Sequence, residues 1–252
     1  MEQLQERILV YGSAGSGKTT AWLSLARKFP ESTFHCIDTD ASIDRMLQTE
    51  FRDLKNVKVY PARSWEKCKL ALSFIKREVK SNDWLVVDML DSVWDFVQGY
   101  FTEQIFNKEI DTYFLEVRKK AQGKSTLEAL EGWTDWVVIN KLYQSWINEI
   151  MYELPCNVFV TAKADKLSAK KESQENLDMF SSIGYKAEGE KRNSYRTHTV
   201  LFLCHNIDNT YLMTTIKDRG RKKFFAEQVT NFAEQYTEIM QGKEGSEETK
   251  QT

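Results

Sequence analysis

The chain has 252 residues, of which 41% are hydrophobic and 29% are charged, and its formal net charge at pH 7 is −2. This length suffices for one large domain or two small ones, and the composition is that of an ordinary soluble globular protein. The near-neutral charge gives no general attraction to nucleic acid, so any such binding must come from a local patch. No apolar run is long enough to span a bilayer, and the first residues lack the apolar core of a signal peptide. We therefore expect a cytoplasmic protein with no membrane partner.

The most informative stretch is Gly-Ser-Ala-Gly-Ser-Gly-Lys-Thr at residues 12–19, which follows an apolar run and precedes a helix-forming segment. Strand, glycine-rich loop and helix in this order are typical of a phosphate-binding P-loop. The glycines let successive backbone N–H groups point at an anion, and the helix directs its positive end to the same place. Lys18 can reach the β- and γ-phosphates, and the hydroxyl of Thr19 can ligate Mg²⁺.

These residues predict a site for ATP with Mg²⁺. The residues predicted to bind the nucleotide are Gly12, Ser13, Ala14, Gly15, Ser16, Gly17, Lys18, Thr19 and Thr20.

Two acidic residues follow the next predicted strand, which covers residues 33–37. They are Asp38 and Asp40, and α/β sheets place their ligands at such strand ends. Hydrolysis needs a group that orients or deprotonates the attacking water; Asp40 is the first candidate and Asp38 the second. Alternatively, either residue caps the following helix.

Trp84-Leu-Val-Val-Asp88 is an apolar run that ends in aspartate, the Walker B pattern. A carboxylate at the end of a central strand beside the P-loop can hold Mg²⁺ through its water shell, and we assign this role to Asp88, with Thr19 as the other metal-binding residue. Asp91 is a second candidate for the metal and a third for the attacking water, or it caps the next helix.

Strands alternate with helices through the first ninety residues, which predicts an α/β fold whose sheet is mostly parallel and flanked by helices. We expect a single ATPase domain over residues 1–240. Within it we expect a helical insertion at about 99–133, a helix at 133–154 and a strand at 157–161. A long polar segment at about 164–196 is predicted to be a mobile loop. Residues 197–204 and 210–216 predict a closing antiparallel pair, 224–240 a last helix, and 241–252 a disordered tail.

The succession of Cys36-Ile-Asp-Thr-Asp40, Asn56-Val-Lys-Val59, Trp84–Asp88 and Asn157–Thr161 resembles the core of the RecA-type recombinases. The resemblance implies a RecA-like P-loop NTPase core. In that family the second strand ends in a catalytic carboxylate, usually Glu, and this position falls on Asp40. A polar sensor of the γ-phosphate, usually Gln, would be Thr161 or Lys163 here.

Near the end of the chain, Thr215-Ile-Lys217-Asp-Arg219-Gly-Arg221 is similar to the Lys-x-Arg element of RecA-fold hexamers and filaments. In those assemblies the two cations reach the γ-phosphate of a neighbouring subunit, as an arginine finger does. The similarity implies a homo-oligomer, a hexamer or a filament, with a composite ATP site that Lys217 and Arg219 complete. The alternative is a basic turn that leaves a strand.

The small size looks most like the phage-encoded RecA-core ATPases, some of which act in single-strand annealing and recombination. In recombinases the loops after the Walker B strand and the sensor strand line the DNA channel, and these loops correspond to 98–133 and 164–196. Residues 163–196 carry eight basic and six acidic side chains. Phe180, Tyr185 and Tyr195 are candidates to stack on bases, although a solvated linker is the alternative.

The resemblance thus implies an Mg-dependent ATPase that acts on single-stranded DNA in phage recombination or replication, in the host cytoplasm. Two alternatives remain. One is a ring-forming DNA motor such as a helicase or packaging ATPase, and the other is a nucleotide-gated protein that binds a partner and has little turnover.

Overall fold

The computed structural model describes residues 5–121, 132–168, 172–219 and 226–240. The predicted disordered tail at 241–252 and part of the predicted insertion, 122–131, lie outside these ranges. The strands of the described residues are β1 (Arg7–Gly12), β2 (Phe34–Asp38), β3 (Val57–Pro61), β4 (Trp84–Asp88), β5 (Asn157–Lys166), β6 (Tyr185–Ala187), β7 (Thr199–His205), β8 (Tyr211–Asp218) and β9 (Ala226–Gln228).

The helices connect these strands, and one short π-helix (Glu149–Glu153) precedes β5. They are α1 (Lys18–Lys28), α2 (Ile43–Gln48), α3 (Trp65–Glu78), α4 (Leu90–Phe106), α5 (Ile110–Ala121), α6 (Gly132–Asn148), α7 (Gln174–Phe180), α8 (Asn193–Arg196) and α9 (Phe232–Met240). None of these helices combines the length and the apolar character needed to cross a bilayer.

The strands form one sheet in the order β3-β2-β4-β5-β1-β7-β8-β9, and β6 pairs with the end of β5. The strands from β3 to β7 in this order are parallel, β8 is antiparallel to β7, and β9 is antiparallel to β8. This arrangement confirms the predicted fold class, a mostly parallel α/β sheet closed by an antiparallel pair.

Strand β1 lies near the middle of the sheet and is buried along its whole length. Its side chains alternate between two hydrophobic clusters, as the two-residue repeat of a strand requires. Leu9 and Tyr11 pack on the face covered by α3, α4 and α6, whereas Ile8 and Val10 pack on the face covered by α1 and α9. The P-loop at the end of β1 is therefore anchored by both halves of the core.

Two parts of the chain differ from the sequence prediction. Strand β5 continues beyond Thr161 to Lys166, because its last three residues pair with β6. Residues 226–228 form β9, paired with β8, so the prediction of one helix over 224–240 was wrong at this point. The segment 164–196 contains α7, β6 and α8 among its described residues, and its mobility stays a prediction.

Candidate active site

The loop between β1 and α1 has the backbone conformation that its glycines permit. Gly15 has φ of 72° and Gly17 has φ of 89°, in the left-handed region that residues with a Cβ rarely adopt. Gly12 is constrained by space instead, since a Cβ there would lie 2.1 Å from the carbonyl oxygen of Leu203 in β7. The loop therefore packs tightly against β7 and turns into α1 at Gly17.

Lys18, the first residue of α1, lies under the loop and is buried. Its ammonium donates hydrogen bonds to the carbonyl oxygens of Gly12, at 3.0 Å, and Ser13, at 2.9 Å. Burial lowers the pKa of Lys18, while the carboxylates of Asp88 and Asp91 act in the opposite direction. A positive charge is thus held at the position where an anion would enter the loop.

Asp88 ends β4 and is only 1% exposed. Its Oδ2 accepts hydrogen bonds from the Thr19 hydroxyl and the Trp22 indole N–H, both at 2.9 Å, and its Oδ1 accepts one from the Thr161 hydroxyl. Burial raises the pKa of Asp88, although the three donors oppose that shift. The contact between Thr19 and Asp88 brings together the two residues predicted to bind the metal.

The two carboxylates after β2 occupy different environments. Asp40 is exposed and lines the cavity around the P-loop, where it accepts a hydrogen bond from the Ser42 N–H at 3.1 Å. Asp38 is buried, accepts a hydrogen bond from the Ala41 N–H at 3.0 Å and does not line that cavity. Burial raises the pKa of Asp38 to about 6. The geometry therefore favours Asp40 over Asp38 as a residue that meets a ligand.

Asp91, at the start of α4, is buried against the backbone and side chain of Lys163. Its Oδ1 accepts a hydrogen bond from the Lys163 N–H at 3.0 Å, and its Oδ2 lies 3.3 Å from the Lys163 ammonium. The charge of Asp91 raises the pKa of Lys163. Of these two residues, Lys163 lines the cavity around the P-loop.

One carboxylate at the cavity was not singled out from the sequence. Glu188 follows β6 and lines the cavity, where its N–H donates to the carbonyl oxygen of Lys163 at 2.8 Å. Burial, followed by the nearby charge of Asp91, raises the pKa of Glu188. No sequence pattern marks Glu188, because the pairing of β6 with the end of β5 brings it there.

The cavity has a volume of about 1230 Å³ and is lined by residues 12–21 of the loop and α1. This volume is above the usual range of small-molecule sites, so a nucleotide fits it. The described residues contain no group of three or more His, Cys, Asp or Glu that would hold a metal by themselves. The donor set of Thr19 and Asp88 instead suits Mg²⁺, which keeps several waters and binds with substrate phosphates.

Over residues 4–233, the chain matches the family described as the AAA domain. The chain belongs to this family. It is therefore a P-loop ATPase with a nucleotide-binding AAA domain. No functionally curated protein matches it. Among solved structures, the AAA-domain chain is similar to a crystal structure of the RadB recombinase, with a TM-score of 0.52 and 17% identity over 88% of this chain and 84% of that one. This likeness shows that the ATPase has a RecA-like fold.

The Lys-x-Arg residues of this AAA-domain ATPase lie toward the amino ends of the parallel strands, whereas its own P-loop lies at their carboxyl ends. Gly12 pairs with Leu203, and Leu203 pairs with Met213 of β8. Lys217 is four residues farther along β8, a distance of about 13 Å at the rise of a strand. Lys217 and Arg219 are thus too distant to meet a phosphate in the P-loop of their own chain.

Lys217 is engaged within its own chain. Its ammonium donates hydrogen bonds of 2.6 Å to the carbonyl oxygens of Ser194 and Thr197, at the end of α8. Burial lowers its pKa to about 8, and the charge of Arg219 acts in the same direction. Arg219 is exposed, and its guanidinium donates a long hydrogen bond, 3.4 Å, to the carbonyl oxygen of Tyr195. Arg219 is therefore the more available cation of the pair.

The candidates for the γ-phosphate sensor and for base stacking differ in how exposed they are. Thr161 is fully buried and does not line the cavity, whereas Lys163 does. Phe180 is also buried and packs edge-on against Tyr11, so the prediction that it stacks on bases was wrong. Tyr185 is 43% exposed, and Tyr195 is half-buried.

Proposed function

We propose that this AAA-domain ATPase hydrolyses ATP with Mg²⁺ as a homo-oligomer on single-stranded DNA, in phage recombination or replication. The observation that carries the metal-dependent part is the 2.9 Å contact between Thr19 and Asp88 beneath the P-loop. The backbone of residues 12–17 and the ammonium of Lys18 bind the phosphates. Mg²⁺, when bound, neutralises charge that develops on the phosphate oxygens.

Thr19 and Asp88 hold the metal in this proposal. The Thr19 hydroxyl, which donates to Asp88 here, would bind the ion directly, while Trp22 and Thr161 keep Asp88 in place. If Mg²⁺ binds here, the carboxylate of Asp88 would hold it through its water shell.

Asp40 orients the attacking water. It is exposed to the cavity, whereas Asp38 is buried and Asp91 is held by Lys163. Glu188 is the rival carboxylate, because it lines the same cavity. An Asp or Glu that orients or deprotonates water typically accelerates hydrolysis about 10²- to 10⁴-fold.

Oligomerisation and DNA binding rest on features away from the P-loop. Arg219 is exposed at the end of β8 that lies away from the P-loop, where a second copy of the chain can meet it with its own P-loop. Of the two candidates for the γ-phosphate sensor, Lys163 lines the cavity and takes that role in the proposal. For DNA, Tyr185 of the arm formed by residues 164–168 and 172–196 is 43% exposed, and the sequence of residues 163–196 carries eight basic and six acidic residues. The RadB recombinase, which has a similar fold, is by name a recombinase.

The test is the ATP hydrolysis rate as a function of protein concentration, with and without single-stranded DNA, for the native chain, Arg219→Ala and Arg77→Ala. Arg77 is an exposed arginine in the last turn of α3 and serves as the control. We expect DNA to stimulate hydrolysis, the rate per chain to rise steeply with concentration, and only Arg219→Ala to lose both effects.

A low rate that neither DNA nor concentration changes, together with an unaffected Arg219→Ala, would remove the shared site and the DNA role. Stimulation by double-stranded DNA in a closed hexamer would point to a ring-forming motor instead. Tight ATP binding with almost no turnover would point to a nucleotide-gated partner-binding protein.

A further inference from the structure

The order of the strands places the hydrolytic groups on one side of the P-loop. Strand β1 carries the loop, and β5, β4 and β2 follow on one side, with Asp88 at the end of β4 and Asp40 two residues beyond the end of β2. Strands β7, β8 and β9 lie on the other side. A nucleoside triphosphate is a linear molecule whose γ-phosphate and base are at opposite ends. If the γ-phosphate faces Asp88 and Asp40, the base extends toward β7, β8 and β9.

A tyrosine ring lies on the side of the P-loop where β7, β8 and β9 are found. Tyr211 is the first residue of β8, lines the P-loop cavity and is 38% exposed. Its ring lies 3.9 Å from the position that a Cβ of Gly17 would occupy. Gly17 directly precedes α1, so Tyr211 borders the point where the phosphate-binding loop ends.

Tyr211 is held in place by a contact to its ring and by a hydrogen bond to its backbone. His205, its partner across the β7–β8 hairpin, stacks on it with centroids 4.6 Å apart and planes 21° apart. The carbonyl oxygen of Tyr211 accepts a hydrogen bond of 2.6 Å from the N–H of Val229, and Val229, Thr230 and Asn231 also line the cavity. One face of the tyrosine ring is thus covered by His205, in a hairpin that is tied to the segment after β9.

We propose that Tyr211 is the platform on which the base of the bound nucleotide stacks, with the Val229–Asn231 segment beside it. This inference rests on the proposed ATP site and specifies its base-binding end. Stacking on an aromatic ring uses the π-face that every base has, so Tyr211 contributes affinity for the nucleoside without selecting among purines.

The experiment compares binding of ATP with binding of inorganic tripolyphosphate, which has the phosphates but no base. Both affinities are measured by calorimetry for the full chain, Tyr211→Ala, Tyr211→Leu, Tyr211→Phe and Tyr152→Ala. Tyr152 is an exposed tyrosine next to β5 that does not line the P-loop cavity, which makes it the matched control. The leucine variant keeps an apolar side chain without an aromatic ring and guards against a folding defect in the alanine variant.

Tyr211→Ala and Tyr211→Leu are expected to weaken ATP binding by about 5- to 150-fold, the range for losing one stacked base. Tripolyphosphate binding should stay within about twofold of the native chain, because its contacts are with the P-loop. Tyr211→Phe and Tyr152→Ala should leave both affinities unchanged.

Two outcomes would overturn the inference alone, and a third would overturn the proposed function as well. Unchanged ATP affinity in both Tyr211→Ala and Tyr211→Leu would place the base elsewhere. The proposed phosphate site would still stand in that case, as long as the native chain binds ATP and tripolyphosphate. Equal losses for ATP and tripolyphosphate show that Tyr211 acts on the loop and not on the base. If the native chain binds neither ligand, the proposed function fails together with the platform.

Discussion

Thr161 on β5 donates its hydroxyl to Oδ1 of Asp88, at the end of the neighbouring strand β4. The other oxygen, Oδ2, accepts from Thr19 and Trp22 on α1. Donors from a strand and a helix therefore fix the orientation of one buried carboxylate. To act as the sensor of the γ-phosphate, Thr161 would have to leave Asp88, so the observed bond favours a role in positioning Asp88.

Replacing Thr161 by valine tests that role, because valine keeps the shape and removes the donor. We expect ATP turnover to fall and the free energy of unfolding to decrease by about 1–3 kcal/mol, the effect of a buried polar group that loses its partner. Thr197→Val is the control: this threonine is also fully buried and donates to the carbonyl oxygen of Ser194, away from the P-loop. Turnover by Thr161→Val equal to that of Thr197→Val would show that Asp88 does not need the bond.

Asp38 predicts a pH dependence of stability. Its pKa is raised to about 6 in the folded protein by burial, so the folded state holds this proton more tightly than the unfolded state does. Stability therefore decreases as pH rises from about 4 to about 6, and the penalty is fully present above that window. Asn at position 38 can still accept from Ala41 but does not titrate.

The measurement is urea unfolding of the native chain and Asp38→Asn at several pH values between about 4 and 7. The advantage of Asp38→Asn should grow with pH across this range and reach at most about 3 kcal/mol, which corresponds to the size of the pKa shift. The pKa of Asp88 is raised in both proteins, and its charge is the smallest of the named causes of the Asp38 shift, so most of its contribution cancels in the difference. If the unfolding free energies of the two proteins change in parallel with pH, the raised pKa of Asp38 is contradicted.

Gly12 predicts a steric effect at the start of the P-loop. A Cβ at this position would lie 2.1 Å from the carbonyl oxygen of Leu203 and 2.5 Å from Oγ of Ser16, so either β7 or the loop must move. Gly12→Ala should decrease the free energy of unfolding by about 1–3 kcal/mol, as overpacking does, and weaken ATP binding.

Gly99→Ala is the matched control, because Gly99 lies inside α4 and a Cβ there would meet no atom within 4 Å beyond the backbone of its own helix. This change should stabilise the protein by about 0.5–1 kcal/mol through helix propensity and leave ATP binding unaltered. A Gly12→Ala variant with native stability and native ATP affinity would contradict this prediction, and would show that β7 can move away from the loop at little energetic cost.

Local patterns were sufficient for the nucleotide-binding loop and for most of the sheet. The run from Arg7 to Thr20 carries its own strand, turn and helix signals, and Trp84–Asp88 is a fully buried strand in the structure, as its apolar run indicates. The antiparallel β7 and β8 also follow from two apolar segments around a turn. Such patterns involve only residues that are close in the sequence, so they can be recognised without knowledge of the fold.

The missing parts depend on contacts between distant segments. Trp22 reads as a core residue of an amphipathic helix, and its bond to Asp88 spans 66 residues. Glu188 reaches the cavity because β6 pairs with an extension of β5, and Tyr211 reaches Gly17 because β7 pairs in parallel with β1 and so brings the β7–β8 hairpin beside the P-loop. No periodicity in the sequence encodes these pairings.

The most direct measurement on the site is ATP turnover by Asp40→Asn, with ATP binding measured in parallel and Asp44→Asn and Glu188→Gln alongside. Asp44 is an exposed aspartate in the first turn of α2 and does not line the cavity. We expect Asp40→Asn to bind ATP within about twofold of the native chain but to lose turnover by about 100-fold or more, while Asp44→Asn keeps both. Native turnover by Asp40→Asn, with the loss appearing in Glu188→Gln instead, would contradict the assignment of Asp40 and place the attacking water at Glu188.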